Sequence, residues 1–146
     1  MQRIKFRYLP HTADMAFIAY GSNYKELMEN AALALLGVML DIKRMGKDKG
    51  SVAGIGIKET SKTIEDLIWF TLQDILAEED SRSLKAFKFD VEYIKEHGKI
   101  FKLAGRLLHK NTNKDYYKLD VKAVTPHDMR VIKRNGIYSV TVVIDV

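Results

Sequence analysis

Two aspartates near opposite ends of the sequence are the residues best suited to metal chemistry. Asp14 opens a predicted strand after the Pro10-His11 turn, and Asp145 ends the last predicted strand. Val146, the final residue, adds a backbone carboxylate beside Asp145. Such oxygen ligands suit calcium or magnesium, and a cation would relieve the repulsion between clustered carboxylates. The alternative interpretation is that Asp14 caps a turn and that Asp145 is solvated.

The other reactive side chains give weaker indications. The sequence has no cysteine, which excludes a disulfide scaffold, a thiolate zinc site and a cysteine nucleophile. No serine lies in a nucleophile elbow, and the histidines lack the spacing of sequence-local zinc ligands. His127 before Asp128 has the order of a base and its orienting carboxylate, but such a pair after a proline is also typical of a turn. Lys122 and His127 flank a strand exit, which indicates either contact with phosphate or a partner, or an ordinary polar loop.

Charge and composition limit the class of protein. Of 146 residues, 47% are hydrophobic and 29% are charged, as in ordinary globular proteins. Residues 1–50 carry 8 basic and 5 acidic groups, residues 51–100 carry 7 and 10, and residues 101–146 carry 9 and 4. The basic flanks permit contact with nucleic acid or an acidic partner, although solvated lysines give the same pattern. The longest apolar run, residues 31–40, is shorter than the roughly 20 residues of a membrane span, so we expect a cytoplasmic protein.

The hydrophobic pattern predicts the elements that hold these residues. Helices are expected after Asn23, where Glu26 completes a capping box, and after Thr63. A basic loop is expected at residues 41–49. Predicted strands lie near residues 3–9, 14–20, 50–59, 87–93, 101–107, 117–123, 129–133 and 138–146, with a hairpin turn at Asn135-Gly136. The prediction is a single two-layer α+β domain over residues 1–146, with two helices on one face of a mixed, mostly antiparallel sheet.

Three segments in the same order resemble the signatures of the archease family. The first is His11-Thr12-Ala13-Asp14, followed by Tyr20-Gly21 and by Asn-Ala-Ala-Leu-Ala at residues 30–34. The second is Lys-Ala-Val-Thr at residues 122–125, with His127 two positions later. The third is Val-Ile-Asp-Val at residues 143–146. The resemblance spans nearly the whole chain.

The resemblance implies an accessory role in tRNA splicing. The implied partner is the GTP-dependent RNA ligase that joins a 3′-phosphate or cyclic-phosphate end to a 5′-hydroxyl end. Proteins of this family promote guanylylation of the ligase histidine and support repeated turnover without being the ligase. The family's cation site implies that Asp14, Asp145 and Val146 ligate a divalent cation, with calcium expected.

The same resemblance implies roles for the remaining candidate residues. Lys122 and His127 match the second signature and are candidates for contact with a partner or with phosphate. His11 is expected to be structural and to orient the loop before Asp14. Two positions depart from the family pattern, because Arg106 stands where we expect an acidic residue after a glycine and Pro126 where we expect an aromatic one. These departures concern the partner-facing surface and not the fold.

Two other functions stay open from the sequence. A chaperone-like modulator of tRNA-modifying enzymes, such as a tRNA methyltransferase, would suppress aggregation of its partner without affecting ligation. Either role involves tRNA indirectly and no membrane. A metal-dependent hydrolase would use two acidic ligands and a histidine to activate water, but no general base is evident.

Overall fold

Helices and strands alternate in the first half of the chain, and strands dominate the second. The computed structural model describes residues 3–10 and 14–146. Its elements are β1 (Phe6–Leu9), β2 (Met15–Gly21), α1 (Tyr24–Met39), α2 (Ile42–Met45), β3 (Val52–Ser61), α3 (Ile64–Arg82), β4 (Ala86–His97), β5 (Ile100–Lys110), β6 (Ala123–Thr125), β7 (Val131–Arg134) and β8 (Ile137–Asp145).

The strands form two sheets, and every strand pair in the described residues is antiparallel. One sheet has the order β1-β2-β8-β6, with β7 also paired to β8, and the other has the order β3-β5-β4. The α+β class predicted from the sequence is therefore confirmed. The structure differs from the expected layout by dividing the strands between two sheets, because β8 pairs with the distant β2 while β4 and β5 pair with each other and with β3.

The two long helices begin where their capping residues predict. The Asn23 side chain accepts a hydrogen bond from the Glu26 amide at 2.8 Å, and Glu26 in turn accepts one from the Ser22 amide at 3.1 Å. Thr63 accepts a hydrogen bond from the Asp66 amide at 3.0 Å. The bonds to Asn23 and Thr63 each satisfy an amide that the first helical turn leaves without a partner. The short helix α2 lies inside the segment that was expected to be a basic loop.

Both long helices contact both sheets. Helix α1 packs on β2 of the five-stranded sheet and on β4 of the three-stranded sheet, while α3 packs on β3, β5 and β6. Apolar side chains of α1, α3 and the two sheets form one continuous core. Burial of this apolar surface is the main force that joins the sheets. None of the helices in the described ranges is long and apolar enough to cross a membrane.

Residues 117–123 do not form the strand that their alternating apolar side chains predict. Tyr117 makes only an isolated bridge to Leu40, and strand pairing resumes at Ala123. The segment instead follows the end of α1, where the Lys118 amide donates to the Met39 carbonyl at 2.8 Å. The predicted strand was therefore wrong, because backbone partners at the helix end replace those of a sheet.

Two turns impose a special backbone. Asn135 and Gly136 have φ angles of 52° and 77°, which confirms the predicted two-residue hairpin between β7 and β8. Gly21 lies where β2 passes directly under the start of α1. A Cβ atom there would be 2.3 Å from the Leu27 amide nitrogen, so only glycine allows this approach.

We predict that Gly21→Ala lowers the free energy of unfolding by about 1–3 kcal/mol, because the added methyl group must displace the backbone of α1. Chemical denaturation of the full chain measures the change. Gly56→Ala is the matched control, since a Cβ atom at Gly56 would meet no heavy atom within 4 Å. Equal losses in both variants would contradict the close contact at Gly21.

Candidate functional site

The register of two central strands brings Asp14 and Asp145 to one end of the five-stranded sheet. Strand β2 pairs antiparallel with β8, and Met15 lies opposite Ile144. Asp14 immediately precedes Met15, and Asp145 immediately follows Ile144. Directly opposed Cα atoms of antiparallel strands are roughly 4.5–5.5 Å apart, so these neighbouring positions place two carboxylates at the same strand ends. Asp14 is half-buried and Asp145 is exposed.

Strand β6 adds Lys122 to this end of the sheet. Ala123 pairs with Asp145 on the side of β8 that faces away from β2. The Lys122 amide donates a 2.8 Å hydrogen bond to the Asp145 carbonyl, and the Lys122 side chain is exposed. Val146 follows Asp145, and its side chain packs against the core. Four sequence-predicted site residues, Asp14, Asp145, Val146 and Lys122, therefore share one end of the sheet.

His127 lies elsewhere. Strand β6 leads away from Asp145, because its last residue, Thr125, pairs with Val143, and His127 occupies the turn beyond that end. Its Nε2 atom lies 3.2 Å from Asp128 Oδ2, and both side chains are about four-fifths exposed, at 78% and 80%. A solvated pair in a turn lacks the surroundings that orient a general base. His11, the other histidine of the prediction, lies outside the described residues.

The donor atoms at this end of the sheet suit a hard cation but are few. Asp14 and Asp145 contribute side-chain carboxylates, and Val146 can add backbone oxygen. Calcium takes 6–8 oxygen ligands, and magnesium six, so water or further chain atoms would complete the set. Within residues 3–10 and 14–146, no group of three or more histidine, cysteine, aspartate or glutamate side chains could hold a metal ion. The two carboxylates are chemically suited to a divalent cation, but they do not form a complete ligand set. The cation site stays a prediction.

Helix α3 holds β6 in place through a stripe of polar side chains. Trp69 Nε1 donates to the Val124 carbonyl at 2.7 Å, and Gln73 Oε1 accepts from the Val124 amide at 2.9 Å. One turn earlier, Glu65 accepts from the Val131 amide at 3.1 Å, which ties β7 to the same helix. Residues spaced by four lie on one helix face, so the stripe covers the free edge of these short strands. The stripe fixes the backbone that presents Lys122.

This stripe was absent from the sequence-based prediction, which considered only the apolar face of α3. The signal was the spacing of Glu65, Trp69 and Gln73 by four residues, which alternates with the apolar set. Beside it, the Thr125 hydroxyl is buried and has no hydrogen-bond partner in the described part of the chain. Within the Lys-Ala-Val-Thr signature, the amide and the carbonyl of Val124 are both hydrogen-bonded to α3. The Thr125 hydroxyl differs, because it has no hydrogen bond within the described residues.

Replacing Gln73 by Met should lower the free energy of unfolding by about 1–3 kcal/mol, because the Val124 amide would lose its acceptor away from water. Gln73→Glu is the matched control, since it retains an oxygen that can accept the same bond. Urea denaturation compares the two variants with the wild type. A Met variant as stable as the Glu variant would mean that the bond contributes nothing.

Two carboxyl groups of α3 have strongly shifted pKa values, but neither faces β6. Burial raises the pKa of Asp74 to about 7, and a hydrogen bond and charge repulsion from Glu59 of β3 add to the rise. Burial also raises the pKa of Glu79 to about 7, although a hydrogen bond from the Ala86 amide at 3.0 Å opposes the shift. Gln73 and Asp74 are adjacent in α3, yet Gln73 bonds β6 of the five-stranded sheet and Asp74 bonds Glu59 of the three-stranded sheet. Both groups thus belong to the packing between α3 and its neighbours.

The raised pKa of Glu79 predicts a pH-dependent stability. The folded protein retains a proton that the unfolded chain releases from its ordinary pKa of 4.5 upward. The resulting stabilisation is complete below pH 4.5 and is lost as the pH rises to about 7. Glu79→Gln keeps the acceptor for Ala86 and removes the titration, so its free energy of unfolding should fall less over this range.

Denaturation at several pH values from 4.5 to 7 measures this difference. Glu92→Gln is the control, because Glu92 is an exposed residue of β4. It should follow the wild-type pH profile. Parallel profiles for the wild type and Glu79→Gln would show that Glu79 titrates alike in the folded and unfolded states.

Other residues of the signatures join elements of the fold. Asn30 is buried, and its side-chain amide donates to the Tyr20 carbonyl at 2.7 Å, which ties α1 to the end of β2 beside Gly21. Arg106, the first departure, lies in β5 of the three-stranded sheet, where its guanidinium covers Gly54. It is thus not among the residues at the end of β8. Pro126, the second departure, is an exposed residue of the turn after β6.

The fold defines a class of α+β protein in which two antiparallel sheets share two bridging helices. The sequence model of the Archease protein family (MTH1598/TM1083) matches residues 6–146. The chain belongs to this family. It is 34% identical to the protein archease of Archaeoglobus fulgidus over 98% of this chain and 100% of that relative. The protein archease of Methanosarcina acetivorans is 31% identical over 97% of this chain and 96% of its own length.

Solved structures agree with this assignment. The solution structure of Methanobacterium thermoautotrophicum protein 1598 is 27% identical, has a TM-score of 0.79, and covers 97% of this chain and 99% of its own. The crystal structure of an archease, possible chaperone, from Thermotoga maritima is 21% identical with a TM-score of 0.55, and covers 100% of this chain and 98% of its own. The second likeness concerns the fold alone.

Proposed function

We propose that this protein is a non-catalytic activator of the GTP-dependent tRNA-splicing RNA ligase. In this role it promotes guanylylation of the ligase and repeated turnover, and Asp14, Asp145 and Val146 hold a divalent cation, with calcium preferred. The observation that carries the proposal is the strand register that sets Asp14 and Asp145 at one end of the sheet. Membership of the archease family supports the same role.

The charged side chains at this end of the sheet suit a protein that acts at the nucleotide site of a partner enzyme. Asp145 and Lys122 are exposed beside each other, so an acidic and a basic group face solvent together. When bound, a divalent cation would offset the negative charge of the carboxylates, so that nucleotide phosphates could approach this end of the sheet with less repulsion. The backbone at Lys122 is held by the bond to Asp145 and by the bonds of Val124 to α3, which fixes the point from which the Lys122 side chain extends.

A modest contribution of this kind suffices for activation. A tenfold increase in the rate of guanylylation needs a barrier lower by only about 1.4 kcal/mol. One rigidly held charge near the ligase nucleotide can supply a difference of that size, because fixed charges need no reorganisation during the reaction. The activator therefore needs no nucleophile or general base of its own.

We expect catalytic amounts of the wild type to accelerate guanylylation of a cognate ligase, and Asp145→Asn to lose most of this acceleration. The change preserves the shape of the side chain and removes its charge. Transfer of labelled GMP to the ligase measures the rate. Calorimetry with calcium alone should show binding to the wild type and at least tenfold weaker binding to Asp145→Asn, a loss of about 1.4 kcal/mol.

Asp90→Asn is the matched control, because Asp90 is an exposed aspartate of β4 in the other sheet. It should bind calcium and activate the ligase like the wild type. Full activation by Asp145→Asn would remove Asp145 from the mechanism. Calcium binding that Asp145→Asn leaves unchanged would place the cation elsewhere in the protein.

A chaperone-like role is the second candidate, and one surface favours it. Tyr117 and Leu119 are large apolar residues with 47% and 43% exposure beside an open hollow of about 270 Å³. Exposed apolar side chains grouped in this way suit contact with a protein partner. The Thermotoga maritima relative is described as a possible chaperone. Suppressed aggregation of a tRNA methyltransferase without any effect on ligation would favour this role over activation.

A further inference from the structure

A second surface, built by the loops at residues 41–50 and 110–116, concentrates positive charge. Arg44, Lys47 and Lys114 are exposed and line an open hollow of about 230 Å³ together with Asp48 and Tyr116. Among the described residues, none of these three cations has an acidic partner within 4.0 Å. Three cations thus face one hollow that contains a single carboxylate.

Hydrogen bonds hold the two loops that build this hollow. Asp48 accepts from the Gly50 amide at 2.7 Å, from the Thr112 hydroxyl at 3.1 Å and from the Tyr116 hydroxyl at 2.5 Å. The Lys110 ammonium donates to the Asp48 carbonyl at 2.7 Å. Residues 41–50 and 110–116 therefore form one connected platform. Its cations can meet a ligand without first ordering the loops.

The acidic residues of these loops are engaged locally. The hydrogen bond from Tyr116, followed by that from Gly50, holds the pKa of Asp48 below its ordinary value, so its charge is already bonded inside the platform. Asp41 accepts from the Arg44 amide at 3.2 Å, and Asp115 accepts from the Tyr117 amide at 3.0 Å. Residues 41–50 and 110–116 together carry six cationic and three acidic side chains, so the overall charge of the platform is positive.

Arg44 is oriented by an aromatic ring. Its guanidinium carbon lies 5.3 Å from the centroid of the Tyr116 ring, and Tyr116 is only 4% exposed. Stacking of this kind positions a guanidinium while its N–H groups stay available for two bonds to a phosphate. Because the ring is covered, it cannot stack on a base, and the platform is suited to recognise backbone phosphates.

We propose that Arg44, Lys47 and Lys114 bind the phosphodiester backbone of a nucleic-acid strand. This binding goes beyond the proposed function, since it requires neither the ligase nor the residues at the end of β8. An acidic protein is the less suitable occupant, because the cores of protein interfaces are poor in lysine and rich in apolar side chains. Among the residues that the structure describes, no exposed apolar side chain lines this hollow. Lys43 and Lys49, both exposed, extend the positive surface along the same loop.

The test is the affinity of the full chain for a labelled single-stranded RNA oligonucleotide, measured by fluorescence anisotropy over a range of salt concentrations. The triple variant Arg44→Gln, Lys47→Gln, Lys114→Gln should bind at least tenfold more weakly at low salt. Its log–log salt slope should be smaller by about 2, since each phosphate contact to a single strand contributes about 0.7. Loss of backbone contacts lowers the affinity for every sequence alike.

The triple variant Lys25→Gln, Lys62→Gln, Lys99→Gln is the matched control, because it removes the same charge from exposed lysines elsewhere. It should retain the affinity and the slope of the wild type. The single variant Lys47→Gln should reduce the slope by about 0.7 and keeps the test valid should the triple variant unfold.

Four results would overturn the proposal. The wild type could fail to bind RNA, or both triple variants could lose affinity equally, which would reduce the effect to net charge. Poly-glutamate could compete as strongly as unlabelled RNA of equal charge, which would assign the platform to an acidic protein. Inorganic phosphate at matched phosphate concentration should compete far more weakly than RNA, and equal competition would indicate a site for the free ion.

Discussion

The pairing of β2 with β8 is the constraint on which the rest of the structure depends. Seven residue pairs, from Met15 with Ile144 to Gly21 with Tyr138, join the two strands. Phe17, Val142 and Ile144 are almost fully buried along this pairing, so a shift of one residue would move apolar side chains out of the core. The same register decides which residues meet at the strand ends. The packing of the core and the placement of Asp14 and Asp145 are therefore one requirement.

Helix α3 shows how this protein covers short edge strands without another strand. A strand edge leaves amides and carbonyls unpaired, and three side chains of α3 bond such groups of β6 and β7. The same helix packs its apolar residues on the three-stranded sheet. One helix thus satisfies polar groups of one sheet while it buries the apolar face of the other.

The elements of the fold were largely predictable, and their arrangement was less so. Local signals at Asn23, Thr63 and Asn135-Gly136 located two helix starts and a hairpin correctly, because each depends on neighbours within four residues. The division into two sheets depends on contacts between distant segments, which alternation within one strand does not encode. Residues 117–123 illustrate the same limit, since their apolar alternation fits a strand while their backbone partners lie at the end of α1.

The candidate site has some features that neighbouring residues indicate and others that depend on contacts between distant segments. Asp14 and Asp145 were recognised as chemically suitable, but only the register of β2 and β8 brings them together. The roles of Glu65, Trp69 and Gln73 depend on which strand edge lies beside α3, and a single sequence does not reveal that neighbour. The platform around Tyr116 likewise joins a loop predicted to be basic with a segment far along the chain.

The origin of β2 and β8 near opposite ends of the sequence has a consequence for synthesis. During translation, β2 leaves the ribosome long before β8, and this edge of β2 has no strand to pair with until β8 emerges. Such long-range pairing is slow to form, because the intervening chain must first be ordered. A chain that has not yet extended through β8 therefore lacks the pairing that sets Asp14 beside Asp145, and only the correctly registered molecule brings both carboxylates to one end of the sheet.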